Sequence, residues 1–278
     1  MTDPTRFDLD DRQRAMLAEM GVRVWWPQGI ATPAEAPLTV PEPPVAVHAK
    51  SGAQVHAPPS VPKPRDPLTA ARPEPVKGQV LPHGVAQMDW PTLQATVAEC
   101  QACGLCRTRR NTVFGVGPTR ADWMVIGEAP GENEDLQGEP FVGQAGKLLD
   151  NMLRAIGLSR QTEGRPEGVA GVYIANTLKC RPPGNRNPEP LELQTCAPFL
   201  QRQLTLVQPR IVLAMGRFAV QSLLQTSEPI GKLRGRVHQV QGVPVVVTYH
   251  PAYLLRNPAD KAKAWADLCL ALQTVPSA

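Results

Sequence analysis

The chain has 278 residues, enough for one large domain or for a domain with an appended segment. Its 29 basic and 25 acidic side chains give a formal charge of +4, which is too small to indicate nucleic-acid binding by composition alone. No apolar run reaches the roughly 18 residues of a membrane span, and the acidic N-terminus lacks the pattern of a secretory signal. These properties predict a cytoplasmic protein.

The first 27 residues are interpreted as a short docking peptide. Residues 8–20 have apolar side chains at roughly helical spacing, acidic residues near the start and Gly21 as a C-terminal cap. Residues 22–27 (VRVWWP) then place two adjacent tryptophans where no core is evident. The segment resembles the N-terminal peptide of the psi subunit of bacterial replicative clamp loaders, which implies a clamp-loader contact through residues 8–27. The alternative is an uninvolved tail.

A proline-rich tract follows, and 15 of the 31 prolines lie from Pro27 to Pro91. Such a composition buries too little apolar surface to offset the entropy of ordering, so residues 28–88 are predicted to be a disordered linker. The sequence Asp89-Trp90-Pro91 is typical of a helix start. We therefore expect the folded domain to comprise residues 89–278.

Four of the six cysteines form two pairs that are distant in sequence. Cys100 and Cys103 are three positions apart, and Cys180 and Cys196 lie far downstream with fifteen residues between them. In a reducing compartment these pairs favour metal ligation over disulfides. Four thiolates suit either zinc, the default choice, or an iron–sulfur cluster.

The remaining two cysteines are less informative. Cys106 continues the spacing of a ferredoxin run, but the fourth cysteine of that motif does not follow. Cys269 lies in an apolar helical stretch and is interpreted as an ordinary buried thiol.

Strands and helices are predicted to alternate from residue 121 onward. The first strand, residues 123–126, leads into the glycine-rich turn 127–131. This alternation predicts an α/β fold, a three-layer α/β/α arrangement with a central, mainly parallel four-stranded sheet. The further strands are predicted at residues 172–176, 211–214 and 243–248, and the helices at about 146–156, 190–206, 216–224 and 259–272.

A polar or glycine residue lies at or just after the end of each predicted strand: Glu128, Asn176, Gly216 and His250. Because the carboxyl ends of parallel strands share one edge of a sheet, these positions indicate one site there. The chain has neither GxGxxG nor GKS or GKT, so the signature of a dinucleotide or triphosphate site is missing.

Four ordered motifs now identify a resemblance. GEAPGENED (127–135), GEPFVGQAGKLLD (138–150), NTLKCRPPGNRNP (176–188) and HPAYLLRNP (250–258), with the cysteine spacing, closely resemble family 4 uracil-DNA glycosylases. The resemblance runs from Trp90 to the C-terminus. It implies a monomeric, nucleoid-associated repair enzyme that flips uracil out of single- or double-stranded DNA, hydrolyses its N-glycosidic bond and leaves an abasic site.

The resemblance implies a role for each pocket residue. Phe141 would stack on the flipped uracil, and the Asn176 amide would read its Watson–Crick edge. The backbone of Gly127, Glu128 and Ala129 would hold the base.

Selectivity and catalysis are implied by the same family. Glu134 matches the position credited with crowding out the 5-methyl group of thymine. His250 would hydrogen-bond O2 of the departing uracil. The best-known uracil glycosylases carry an aspartate at the position of Ala129, so water activation is left open, with Glu128 as one hypothesis.

DNA contacts are expected from the loop 250–258, where Leu254 or Leu255 would act as an apolar wedge. Basic residues in loops would contact phosphates, although any one of them could instead be a solvated surface charge. They are Lys179, Arg181, Arg186, Lys232, Arg234, Arg236 and Arg256.

The resemblance assigns one 4Fe–4S cluster to Cys100, Cys103, Cys180 and Cys196, with a structural role. Two other functions are kept as alternatives: a protein that traps uracil-DNA covalently, and a replisome-associated module. A known trapping relative carries a basic, histidine-containing insertion after its Asn–Cys region. Residues 176–188 have no such insertion.

Overall fold

A computed structural model describes residues 15, 19, 84–164 and 168–275. The predicted docking peptide and most of the predicted linker lie outside these residues, apart from Ala15 and Glu19, which are helical. Residues 84–275 belong to one compact unit. Among the described helices, none is long and apolar enough to cross a membrane.

The core of the fold is a mainly parallel sheet covered by helices, as predicted. Four strands match the predicted ones, and neighbouring pairs among them are parallel. They are β1 (Trp123–Gly127), β3 (Ala170–Asn176), β4 (Ile211–Met215) and β6 (Val243–Thr248).

The predicted count of four strands was too low, because each edge of the sheet carries one more. The strand β2 (Leu158–Ser159) pairs parallel to β3, and β5 (Val237–Val240) pairs antiparallel to β6. The resulting order is β2-β3-β1-β4-β6-β5. Neither strand was predicted, because β2 has only two residues and β5 is half polar, so both lack the continuous apolar run that indicates a buried strand.

The helices begin where the sequence supplies capping residues. In the first helix, the backbone N–H of Thr92 donates to the Asp89 side chain at 3.0 Å, and Pro91 occupies the first turn. Three short helices were not predicted: Glu132–Gln137, Ile230–Leu233 and Pro251–Arg256. The helices are α1 (Trp90–Glu99), α2 (Glu132–Gln137), α3 (Gln144–Ala155), α4 (Pro190–Val207), α5 (Arg217–Leu224), α6 (Ile230–Leu233), α7 (Pro251–Arg256) and α8 (Lys261–Thr274).

Alternating side chains of the strands build two cores. In β1, Val125 packs with residues of α3, α7 and α8 on one face of the sheet. Met124 and Ile126 point to the opposite face and pack with residues of α4 and α5. Helices on both faces explain why the strands are apolar throughout and give the three-layer arrangement.

The strand order creates a crevice at the carboxyl edge of the sheet. From β1 the chain moves outward to β3, and it then returns to the other side of β1 to form β4. Ligands of open α/β sheets bind outside the strand ends at such a reversal. In register, Gly127 is opposite Asn176, and Ile126 is opposite Ala214.

The ordered domain includes residues that were assigned to the linker. A short 3-10 turn spans Val85–Gln87, and Val85 is buried against a cluster that includes Leu93 and Phe199. The Arg202 side chain donates a hydrogen bond to the carbonyl of Met88 at 2.6 Å.

A chain beginning at residue 89 should therefore be less stable than a chain beginning at residue 84. Losing the burial of Val85 and the Arg202 hydrogen bond should lower the free energy of unfolding by about 2–4 kcal/mol. Urea denaturation of the two truncated proteins measures this difference. Equal midpoints and slopes would show that residues 84–88 contribute nothing to stability.

Candidate functional site

A cleft of about 750 Å³ lies at the carboxyl edge of the sheet. The segments after four strands reach it, since Glu128, Asn176, Gly216 and His250 all line its walls. The positions that sequence reasoning placed on one sheet edge therefore share one cavity. Phe141, Glu134 and Ala129 line it as well.

Asn176 ends β3 at the base of this cleft and is only 2% exposed. Among the described residues, none donates a hydrogen bond to its side-chain oxygen Oδ1. A buried acceptor without a partner is unfavourable by about 1–3 kcal/mol, so its retention in a cavity is typical of a ligand site.

Gly127 permits the tight packing beside this amide. A Cβ atom at Gly127 would lie 2.4 Å from Asn176 Oδ1 and 2.5 Å from Cζ of Phe141. Both distances are shorter than any van der Waals contact, so a side chain at position 127 would displace the amide, the ring or both.

Phe141 adopts a strained backbone conformation to reach the cleft. Its φ of 56° lies in the left-handed region, which is unusual for a bulky residue. A Cβ atom at Gly146 would lie 1.7 Å from the Phe141 carbonyl oxygen, so glycine is needed there. The Phe141 ring stacks on the His250 ring, with centroids 5.3 Å apart and planes 26° apart.

His250 follows β6 and caps the N-terminus of α7. The backbone N–H of Ala252 donates to Nδ1 of His250 at 3.2 Å. Burial, together with the positive charge of Arg256, lowers the pKa of His250 to about 4, and the charge of Glu134 opposes both. The ring is therefore neutral at physiological pH and carries its proton on Nε2.

The carboxylate of Glu134 holds two loops together. Oε1 accepts hydrogen bonds from the backbone of Val142 at 3.0 Å and of Gly143 at 3.2 Å. Oε2 accepts one from Gly131 at 3.1 Å. These bonds fix the carboxylate as a rigid wall of the cleft and support the loop that carries Phe141.

Glu128 is held at the N-terminus of α5. Its Oε1 accepts a hydrogen bond from the backbone N–H of Phe218 at 3.0 Å, and its carbonyl accepts one from Leu178 at 3.1 Å. Burial raises the pKa of this carboxyl group, and the bond to Phe218 opposes the rise. Gly216 leaves room for the carboxylate, because a Cβ atom there would lie 2.5 Å from Oε1.

The structure corrects two of the predicted DNA contacts. Lys179 is 1% exposed, and its ammonium donates to groups inside the protein. Leu254 is fully buried in the core. Neither residue reaches DNA, whereas Leu255 is 44% exposed and is the candidate wedge.

The arginines predicted to contact phosphate differ in availability. Arg256 is exposed and lines the cleft. Arg186 also lines the cleft but makes a two-pronged ion pair with Glu192 at 2.6 and 3.0 Å. Arg234 is a structural residue, paired with the buried Asp267 at 2.8 Å.

The other three predicted cations are surface residues. Arg181 lies 3.7 Å from Glu132, and Arg236 lies 3.7 Å from Glu228. Lys232 is exposed on α6. Ion pairs at this distance contribute little to stability, and Arg181 is held in addition by a hydrogen bond from its Nε to Oδ1 of Asn185 at 2.8 Å.

Sequence reasoning missed an aromatic wall of the cleft. Arg217 lies 4.5 Å over the ring of Phe218, and Tyr249 stacks on Tyr253 with centroids 4.9 Å apart. All four residues line the cleft. The sequence held a signal for this wall, because Arg217 lies two positions after the end of β4 and Tyr249 lies one position after the end of β6.

The two cysteine pairs, which are distant in sequence, line one small internal cavity. Its lining includes Cys100, Cys103, Cys180 and Cys196. Arg109 Nη1 donates to the sulfur of Cys180 at 3.0 Å. Burial raises the pKa of the Cys180 thiol to about 11, and Arg109 opposes the rise. Within the described ranges, no three His, Cys, Asp or Glu side chains are arranged to hold a single metal ion.

The other two cysteines do not contribute to this cavity's lining. Cys106 lies in a 3-10 turn, Gly104–Arg107, and is partly exposed. Cys269 is partly buried against the core on the α8 face of the sheet.

Comparison with known proteins agrees with this site. Residues 114–269 match the family model of the Uracil DNA glycosylase superfamily. The type-4 uracil-DNA glycosylase of Archaeoglobus fulgidus is 43% identical over 179 residues, covering 62% of this chain and 85% of that protein.

Two further relatives bear the same description. The type-4 uracil-DNA glycosylase of Saccharolobus solfataricus is 44% identical over 171 residues, covering 58% of this chain and 75% of that protein. The type-4 uracil-DNA glycosylase of Pyrobaculum aerophilum is 37% identical over 191 residues, covering 66% of this chain and 93% of that protein. With these matches and the fold just described, the chain belongs to the type-4 uracil-DNA glycosylase family.

Proposed function

We propose that this protein repairs DNA by removing uracil. It turns the nucleotide out of the helix, hydrolyses the bond between N1 of uracil and C1′ of the sugar, and leaves an abasic site. The observation that carries the proposal is the buried Oδ1 of Asn176, an acceptor without a protein partner in a cleft of a uracil-DNA glycosylase fold.

Asn176 distinguishes uracil from cytosine by hydrogen-bond polarity. Uracil presents an N3–H donor and an O4 acceptor, whereas cytosine presents an N3 acceptor and an amino donor. With Oδ1 of Asn176 facing the base, uracil N3–H forms a hydrogen bond and cytosine N3 is repelled. The close packing of Gly127 maintains this orientation.

Phe141 and Glu134 complete the base pocket. The Phe141 ring supplies an apolar face on which the flipped uracil stacks. Glu134 is fixed by three backbone N–H groups and lines the same cleft, so it can exclude a 5-methyl group without moving. Glu128 and Ala129 line the same cleft, whereas Gly127 does not line it and packs against Asn176 and Phe141.

His250 stabilises the leaving group. As the C1′–N1 bond breaks, its electron pair leaves with uracil, and negative charge develops on N1 and O2. The neutral His250 ring donates Nε2–H to O2, since its Nδ1 already accepts from Ala252. Water adds to the cationic C1′, and the proton that it releases balances the uracil anion.

The water is oriented by Glu128 in this proposal, because Ala129 offers no carboxylate. One oxygen of Glu128 is bonded to the backbone of Phe218 and is thereby fixed in position. The Glu128 side chain lines the cleft, so its second oxygen can accept a hydrogen bond from a water molecule. Leu255 fills the space that the base vacates, and Arg256 contacts the DNA backbone.

We assign the four-cysteine cavity to one 4Fe–4S cluster that is bound by Cys100, Cys103, Cys180 and Cys196. The fit is supported by the four thiols lining one cavity, since cysteine thiolates are the ligands of such clusters. The cationic side chains of Arg109 and Lys179 line the same cavity and balance thiolate charge. The bound cluster would tie α1 to the loop after Asn176.

Residues 8–27 are proposed to contact a clamp loader, tethered by the proline-rich residues 28–83. A tether of this length places a docking peptide within a broad radius of the glycosylase domain. Removal of uracil from naked DNA does not depend on this contact.

Replacing His250 by alanine should slow uracil release about 100- to 1,000-fold, because the developing anion loses a hydrogen bond. A gel assay with a uracil-containing oligonucleotide and alkaline cleavage of the abasic product measures the rate. Visible absorption confirms that the cysteine site is intact in the variant. Near wild-type turnover would reject the role of His250.

The pH dependence of stability should also report on His250. Its folded-state pKa of about 4 lies below the ordinary value of 6.5, so the unfolded chain binds the proton more readily. Stability is therefore lost as the pH falls from 6.5 towards 4. The alanine variant should lose less stability than the wild type over this interval in urea denaturation; parallel losses would contradict the assignment.

Replacing Gly127 by alanine should reduce uracil excision by at least about tenfold, because the new Cβ displaces Asn176 or Phe141. The cost in folding stability should be about 1–3 kcal/mol. The matched control is Gly231→Ala, since a Cβ there meets no atom within 4 Å. If the two variants were equally active, the tight packing at Gly127 would be irrelevant to the pocket.

Replacing Cys196 by serine should abolish the visible absorption of an iron–sulfur protein and its bound iron, because a ligand is lost. The matched Cys106→Ser variant should keep both, since Cys106 does not line the cavity. Iron content and absorption of anaerobically purified protein provide the measurement. Zinc in place of iron in the wild type would overturn the assignment of the cluster.

A further inference from the structure

Lys179 lines the cysteine cavity, and its side chain also donates a hydrogen bond to the backbone carbonyl of Asn176. It immediately precedes Cys180 and is 1% exposed. Burying an ammonium group is costly unless all of its hydrogens find acceptors. The position therefore calls for an explanation other than DNA binding.

The ammonium of Lys179 has three hydrogens and three protein acceptors. It donates to the Asn176 carbonyl at 2.8 Å, to the side-chain oxygen of Gln203 at 2.6 Å and to the Phe114 carbonyl at 3.3 Å. Gln203 is itself fully buried and donates to the Phe114 carbonyl and to the hydroxyl of Tyr173. All three hydrogens of the ammonium therefore have acceptors inside the protein.

The same network is anchored to the cysteine site. Cys196 and Gln203 both belong to α4 and lie seven residues apart, which places them on one face of that helix. Lys179 lines the same small cavity as Cys180 and Cys196. The ammonium therefore lies between a group of thiol ligands and the backbone of the residue that reads the base.

We propose that Lys179 is a positioning residue that fixes the end of β3, and with it the Asn176 amide, against the four-cysteine site. The inference rests on the proposed recognition of uracil by Asn176. It assigns to the cysteine site a role in base recognition beyond holding α1 to the domain. Since Lys179 does not touch the base, its loss should weaken recognition of uracil and leave general DNA affinity unchanged.

The test is equilibrium binding to an oligonucleotide that contains 2′-fluoro-2′-deoxyuridine, in which the electron-withdrawing fluorine slows cleavage. The same oligonucleotide with thymidine measures general DNA affinity. Lys179→Met should weaken binding to the uracil analogue about tenfold and leave thymidine-DNA binding unchanged. Visible absorption and iron content establish that the variant retains its cysteine site.

Each result has a defined meaning. If the wild type does not prefer the uracil analogue to thymidine, the proposed function itself fails. If the wild type prefers it and Lys179→Met, with intact absorption, prefers it equally, the positioning role is overturned. An equal loss of affinity for both oligonucleotides also overturns it.

A second pair of variants decides the matter if Lys179→Met does not fold or lacks its absorption. Gln203→Leu removes one acceptor of the ammonium but keeps the lysine, and Gln201→Leu changes an exposed residue of the same helix. Gln203→Leu should weaken binding of the uracil analogue about threefold relative to Gln201→Leu. Equal affinities of these two variants would overturn the inference.

Discussion

The site depends on the close approach of two neighbouring strand ends. Gly127 and Asn176 are paired residues of β1 and β3, and only a glycine at position 127 lets the amide and the Phe141 ring pack against the same backbone. The strained φ of Phe141 and the absence of a side chain at Gly146 serve the same contact. The strained backbone of Phe141 is thus unfavourable by itself but is retained because it helps to form one rigid pocket.

Burial then determines the chemistry of that pocket. The His250 ring stays neutral, and its orientation is set by a backbone donor, so it can donate a hydrogen bond without adding a positive charge to the free site. The nearby carboxylates of Glu134 and Glu128 are each held by backbone N–H groups. In the proposed reaction, the fixed Nε2–H of His250 stabilises the uracil anion with little reorganisation at the moment of bond cleavage.

The sequence allowed the central strands and their shared edge to be predicted, because apolar runs and the residues at their ends are local signals. Phe141 and Glu134 came instead from the resemblance to a family, and the structure places both in the cleft. Burial of individual loop residues was not predictable in this way. Lys179 and Leu254 both lie in motifs that suggest DNA contact, yet tertiary packing turns them inward. The edge strands β2 and β5 were missed because pairing with a neighbour, rather than local pattern, makes them strands.

The inward turn of Lys179 changes how the loop after β3 is understood. Asn176 and Cys180 are four residues apart, and the intervening backbone N–H groups of Thr177 and Leu178 bond to the carbonyls of Gly127 and Glu128. The loop is therefore fixed at one end by the pocket and at the other by the cysteines, with the Lys179 ammonium closing it internally. With Lys179 in its proposed role, a displacement of either end would strain the other, which would couple recognition of the base to the cysteine site.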